Sequence, residues 1–145
     1  MAADPLWYEL RNAVCIREFD LAEKILATNP GLMLLRDGMG ETVLHFLAVE
    51  NDSKGVSWLH SRGFDLDTKN DFGTPAIFEV AQLGYKDLFL WFLANGADVF
   101  ARDGEGHNIL ESLRECEKPD MRAFVIEHAP DLALNPDGPS ARRLT

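Results

Sequence analysis

A chain of 145 residues is about one domain long, and its 46% apolar and 10% aromatic content is enough for a continuous core, which argues against disorder over most of its length. The formal charge of −10 argues against direct binding to nucleic acid or to an anionic membrane, because phosphates are met by clustered Lys and Arg. The acidic surplus suits a basic protein partner, or serves solubility alone.

In chain order, Pro5 fits the first position of a helix, where its missing N–H costs nothing, and Leu6, Leu10, Ala13 and Val14 follow at helical spacing. A second helix is predicted from about Asp20, whose side chain can cap it, with Leu21 and Ile25 at i, i+4 and Asn29-Pro30-Gly31 as its stop. Asp37-Gly38-Met39-Gly40 is a turn, because its glycines accept positive φ. A short helix from Thr42-Val43-Leu44-His45 to about Glu50 follows, then a break at Asn51-Asp52. A return helix runs from Lys54 to Ser61, burying Val56 and the Trp58-Leu59 pair, and Gly63 stops it.

The plan then recurs. Asn70-Asp71-Phe72-Gly73 makes the turn, Pro75 to Leu83 and Asp87 to Ala94 make the helices, and Gly84 and Gly96-Ala97-Asp98 punctuate them. Asp103-Gly104-Glu105-Gly106 opens a third version that degenerates, with Arg114 in place of the small Ala48 and Ala81. Pro119 starts its last helix, which ends before Pro130, and residues 135–145 read as a flexible tail.

Gly40, Gly73 and Gly106 are spaced by 33 residues, and so are Gly63, Gly96 and Ala129. Trp58-Leu59, Trp91-Phe92 and Phe124-Val125 keep the same interval, which makes Trp58 and Trp91 expected core residues. Projected backwards, the frame gives one repeat domain over 1–134, with units near 4–36, 37–69, 70–102 and 103–134. Self-similarity of this length implies a stacked array, whose units cannot bury their apolar faces alone.

The units resemble ankyrin repeats, whose template is roughly D-x-x-G-x-T-P-L-H-x-A-A, a Gly break, an apolar helix and G-A-D. The resemblance rests on Asp37, Gly40, Thr42, Leu44, His45 and Ala48, on Gly73, Ile77, Ala81, Gly84, Gly96, Ala97 and Asp98, and on Asp103, Gly106 and Leu110. It implies an all-α fold, a solenoid of stacked helix-turn-helix units joined by β-turn-like loops. Departures matter: Val43 replaces the Pro, Pro75 and Phe78 stand at the Thr and His positions of the next unit, and Asn108 and Glu111 at those of the last. The bracing Thr–His bonds of the template are therefore expected once at most.

The resemblance further implies non-covalent protein binding through turn tips and a concave inner-helix face. Carried over by position, this points to Met39, Glu41, Val49 and Glu50, to Lys69, Asp71, Phe72, Thr74, Gln82 and Leu83, and to Arg102, Glu105, His107 and Glu115. Met39, Phe72, Val49 and Leu83 are apolar where the pattern faces water; with acidic neighbours they supply anchors for desolvation and charges for orientation. The alternative is that Met39 and Phe72 pack against adjacent turns. Leu90 and Phe100, apolar where polar residues are common, mark either a second contact or dimer surface or local packing.

One protein partner is expected, with the chain itself a monomer when free. A narrower reading is similarity to small stand-alone bacterial ankyrin proteins, including immunity proteins that neutralise a toxin enzyme by occluding its active site; the acidic surplus suits a basic toxin such as a nuclease. No enzyme is expected. His45, His60, His107 and His128 fall in different units, and no H-E-x-x-H, C-x-x-C or G-x-S-x-G pattern is present. Cys116, between Glu115 and Glu117, should have a raised, unreactive thiol pKa.

No cofactor or metal is expected either: Asp65 to Asn70 begins like a calcium loop, but Lys69 stands where an oxygen ligand is needed and Asn70 where Gly is needed. Cys15 and Cys116 belong to the first and last units, beyond disulfide reach, which suits a reducing cytoplasm. Met1-Ala2-Ala3-Asp4-Pro5 lacks the pattern of a secretion signal, and no apolar run approaches the ~18 residues of a membrane span. A soluble, cytoplasmic protein is the expectation.

Overall fold

The computed structural model describes residues 4–138, and within them the regular structure is helical: α1 Pro5–Cys15, α2 Phe19–Thr28, α3 Val43–Val49, α4 Ser53–Ser61, α5 Ala76–Gln82, α6 Lys86–Ala94, α7 Ile109–Glu115, α8 Pro119–His128 and α9 Pro130–Leu134. A 3-10 turn, Pro30–Leu34, follows α2. No strand forms among the described residues; Lys69 and Pro75 make an isolated antiparallel bridge.

Helices of two turns are unstable alone in water, so α3, α5 and α7 depend on burial. Five of the seven residues of α3 are buried (Val43, Leu44, His45, Leu47, Ala48), and so are five of the seven of α5 (Ala76, Ile77, Phe78, Val80, Ala81). Each start is fixed differently. Thr42 caps α3 by accepting the His45 N–H at 3.2 Å, and Asn108 and Glu111 form a reciprocal capping box on α7. Pro75 precedes α5 with no side-chain cap, so that helix relies on packing.

The three short helices lie side by side, α1 against α3, α3 against α5 and α5 against α7, while α3 also packs on α4, α5 on α6 and α7 on α8. One apolar cluster runs through them, from Trp7 and Leu10 through Leu44, Leu47, Ile77 and Phe78 to Phe92, Ile109 and Leu113.

Three turns precede α3, α5 and α7, and their bonding is the same. Asp37 Oδ1 accepts the N–H groups of Met39 and Glu41, Asn70 Oδ1 those of Phe72 and Thr74, and Asp103 Oδ1 those of Glu105 and His107, all at 2.9–3.1 Å. In each, a glycine with φ near +80° (Gly40, Gly73, Gly106) donates its N–H back to the Asx carbonyl at 3.0 Å. The first two turns are joined directly, Asp71 N–H to Gly40 carbonyl at 3.0 Å.

Several expectations need correction. Glu18 precedes α2 without a side-chain cap, Asp20 sits inside its first turn, and Leu21 is exposed while Ala22, Ile25 and Leu26 face the core. Trp58 and Trp91 are half-buried at the surface; Leu59 and Phe92, one residue further, are fully buried. Adjacent helical positions differ in direction by about 100°, so only one residue of each apolar pair can point inward. Residues 130–134 form α9, with Leu132 buried. Of the predicted tail, 135–138 form a turn in which Asp137 pairs with Arg102 at 2.7 Å, and the remaining residues lie outside the described ones. Phe100 packs under that turn, so its environment is local. Cys15 and Cys116 are both exposed and unlinked; burial, then the Asp52 charge, raises the Cys15 thiol. No described helix is long and apolar enough to cross a membrane.

Candidate interaction surface

The turns set the positions of three equivalent tip residues, Met39, Phe72 and Glu105. The Asx side chain of each turn curls inward to bond the backbone, which leaves the Met39 and Phe72 side chains to water, while Glu105 Oε2 lies 4.0 Å from His107 Nδ1. Met39 is 75% exposed and Phe72 70%. Among predicted positions, Glu50, Lys69, Asp71, Leu83, Glu105 and Glu115 are also exposed, and Val49 and His107 are half-buried. Asp71 pairs with Arg36 at 3.2 Å, and the Arg36 guanidinium also donates to the Leu34 and Lys69 carbonyls, bracing the base of the second turn.

Other predicted positions are engaged inside the chain. Thr74 offers its carbonyl to His45 Nε2 at 2.8 Å, Gln82 donates to Ser112 Oγ at 2.7 Å, and Arg102 spans the Gly106 carbonyl, Glu111 and Asp137. These three side chains or carbonyls hold the fold together.

His45 is buried between Thr42 and Thr74. A carbonyl only accepts, so Nε2 carries the proton toward Thr74, and Nδ1 accepts the Thr42 hydroxyl at 2.7 Å. Burial depresses its pKa to about 4, so the ring is neutral. This is the one place where the expected Thr–His bond forms.

Beside it lies a group that residue-by-residue reading missed. Glu41, from the turn before α3, meets Glu79 of α5, and Asn70 Nδ2 donates to an oxygen of each at 3.0 Å. Burial first, then the charge of Glu41, raises Glu79 to about 8; burial also raises Glu41, with Asp37 and Asp71 adding to it. Ligand atoms of Glu41, His45 and Glu79 lie within 4.8 Å of one another, a spacing a metal could bridge. The donor chemistry does not fit: both His45 nitrogens are committed, and the Asn70 amide presents N–H groups to the carboxylates. Asp65 and Asp67, of the calcium-like segment, accept backbone N–H groups of Asp67 and Asp98.

Elsewhere, Phe19, Trp58 and Trp91 line an open groove with Ser53, Lys54, Ser57 and Ser61. Phe19 stacks on Trp58 with centroids 5.4 Å apart. No protein-family model matches the sequence, and no curated protein matches it either.

Proposed function

We propose that this chain is a repeat protein of the ankyrin type, an all-α solenoid of helix pairs, that binds one protein partner without catalysis. The observation that carries this reading is the pair Met39 and Phe72: two large apolar side chains at equivalent tips of adjacent, mutually bonded turns, both left to water. Burying such a side chain is worth about 1.5–3 kcal/mol, which a partner can supply and the chain itself does not. Side-by-side α1, α3, α5 and α7, with the turn pattern repeated three times, support the stacked architecture.

The third tip is Glu105, 83% exposed at its side chain, and Asp71 stands beside Phe72. Apolar anchors followed by acidic groups along one row fit a partner with an apolar pocket bordered by Lys or Arg. Met39→Ala and Phe72→Ala together test this. Capture from a lysate of the native host should retain a protein on the wild type that the double variant loses, with melting temperatures alike and with retention weakening as salt rises. Equal retention by both, or a large drop in melting temperature, overturns the reading and reassigns the tips to packing.

A further inference from the structure

We propose that Glu41 and Glu79 hold a single proton between them, clamped by Asn70, and that this proton fastens the turn before α3 to α5 and is released as pH rises. The geometry is specific. Asn70 Oδ1 is committed to the Phe72 and Thr74 N–H groups at 2.9 and 3.1 Å, which fixes the amide so that Nδ2 must face the two carboxyls. It donates to one oxygen of each at 3.0 Å, and oxygens of the two carboxyls lie within 4.8 Å of one another. The second oxygen of Glu41 is buried and accepts no hydrogen bond, which leaves it open to a proton.

Two carboxylates so placed repel unless one keeps its proton, which then becomes the bond between them. The equivalent turn residues Asp37 and Asp103 are acids; only at 70 is an amide present, and only there do two further carboxyls converge. An acid at 70 would be a third acceptor with nothing to donate.

The surrounding charges leave the pair uncompensated. From its own turn comes Asp37, and from the next turn Asp71, both acidic. From α3 comes His45, neutral and bonded at both nitrogens. Arg36 spends its guanidinium on Asp71 and two carbonyls, and Lys69 is exposed. From α7, Glu111 is taken up by its cap and by Arg102, and Arg114 lies at the surface. Lys86 and Asp87 of α6 are exposed as well.

Loss of the proton sets the pair in repulsion. Because Asn70 also holds the Phe72 N–H, the disturbance passes to the tip that carries Phe72. The site is a pH-sensitive latch beneath the apolar strip, and it exists whether or not that strip binds a partner.

The test is a carboxyl titration by NMR on the free, full-length protein labelled with 13C-glutamate, from pH 3 to 9. One carboxyl of the pair should titrate with a midpoint near 8, and the backbone amide of Phe72 should shift with the same midpoint. Glu79→Gln, which supplies a permanent amide donor, should abolish both; Glu41→Gln gives the same readout should the first variant fold poorly. Ordinary titration of both wild-type carboxyls near pH 4–5 overturns the proposal. So does perturbation of these resonances by micromolar zinc or calcium, which would make the cluster a cation site instead.

Discussion

Gly104 lies against Phe72 so closely that a Cβ at position 104 would sit 2.1 Å from the Phe72 carbonyl oxygen. The third turn is thus nested on the second at its tip, backbone to backbone. No flexible side chain can yield there, so Gly104→Ala must push the turns apart. Forced overpacking of this kind costs about 1–3 kcal/mol, and the loss should appear in urea unfolding. Gly38 has nothing within 4 Å of the same construction, so Gly38→Ala is the matched control and should be near neutral.

Glu117 has a φ of 54°, as Asn51 has 56°, at the position where the chain turns from one helix of a pair to the next. Gly84 is at the equivalent place, with φ of 75°. A left-handed backbone costs an ordinary L-residue about 1 kcal/mol that glycine avoids. Glu117 is exposed and its side chain makes no ion pair among the described residues, so nothing offsets the strain. Glu117→Gly should therefore stabilise the protein by about 0.5–1 kcal/mol despite adding a glycine. Gly84→Ala should destabilise it by a similar amount. Paired thermal melts read both signs.

Much of this was legible in the sequence because the turns are short-range devices. An Asx residue, a tip, and a glycine with positive φ are set by local sterics, so their 33-residue spacing marks the turns before any packing is known. The short helices that follow the turns were legible too, although which five of the seven residues in α3 and α5 are buried depends on packing. What could not be read was which of two adjacent apolar residues faces inward, hence Trp58 and Trp91, and which side chains meet across blocks. Glu41 and Glu79 look like surface acids; only the lateral packing of α3 on α5 brings them to one Asn70 amide. The Asn at 70 where 37 and 103 are Asp was the one available signal. Arg17 reaching Asp52 at 2.7 Å, from the first helix pair to the second, is legible only once those pairs are docked.

His45 and Glu79 have opposite effects on stability as pH changes. Folding lowers the His45 pKa from 6.5 to about 4, so the unfolded chain binds the extra proton between those values. Its contribution is whole above pH 6.5 and is lost as pH falls toward 4. Folding raises Glu79 from 4.5 to about 8, so the folded chain holds the extra proton, and stability declines as pH rises across that window. The two slopes oppose each other below 6.5, and only the decline remains between 6.5 and 8. Wild-type melting temperature should fall over that upper interval. In Glu79→Gln it should rise from pH 4 to 6.5 and then stay level to 8. A wild-type curve flat from 6.5 to 8 would remove Glu79 from the account.

Phe92 and Trp91 are neighbours on α6 with different surroundings, and truncating each should separate the two. Phe92 is fully buried in the cluster between α5, α6 and their neighbours, so Phe92→Ala leaves a cavity that rigid helices cannot close; such changes cost about 3–5 kcal/mol. Trp91 lies half-buried in the open groove, touching His60 edge-on with centroids 5.6 Å apart. Water can enter where its ring was, so no sealed void forms, and the loss reduces to partial area and the aromatic contacts with His60 and Phe92. Trp91→Ala should therefore cost about 1–2 kcal/mol. Urea unfolding of both variants at fixed pH gives the ordering. Phe92→Ala must be the more damaging by at least about twofold, because closed packing, rather than ring size, sets the magnitude on this helix.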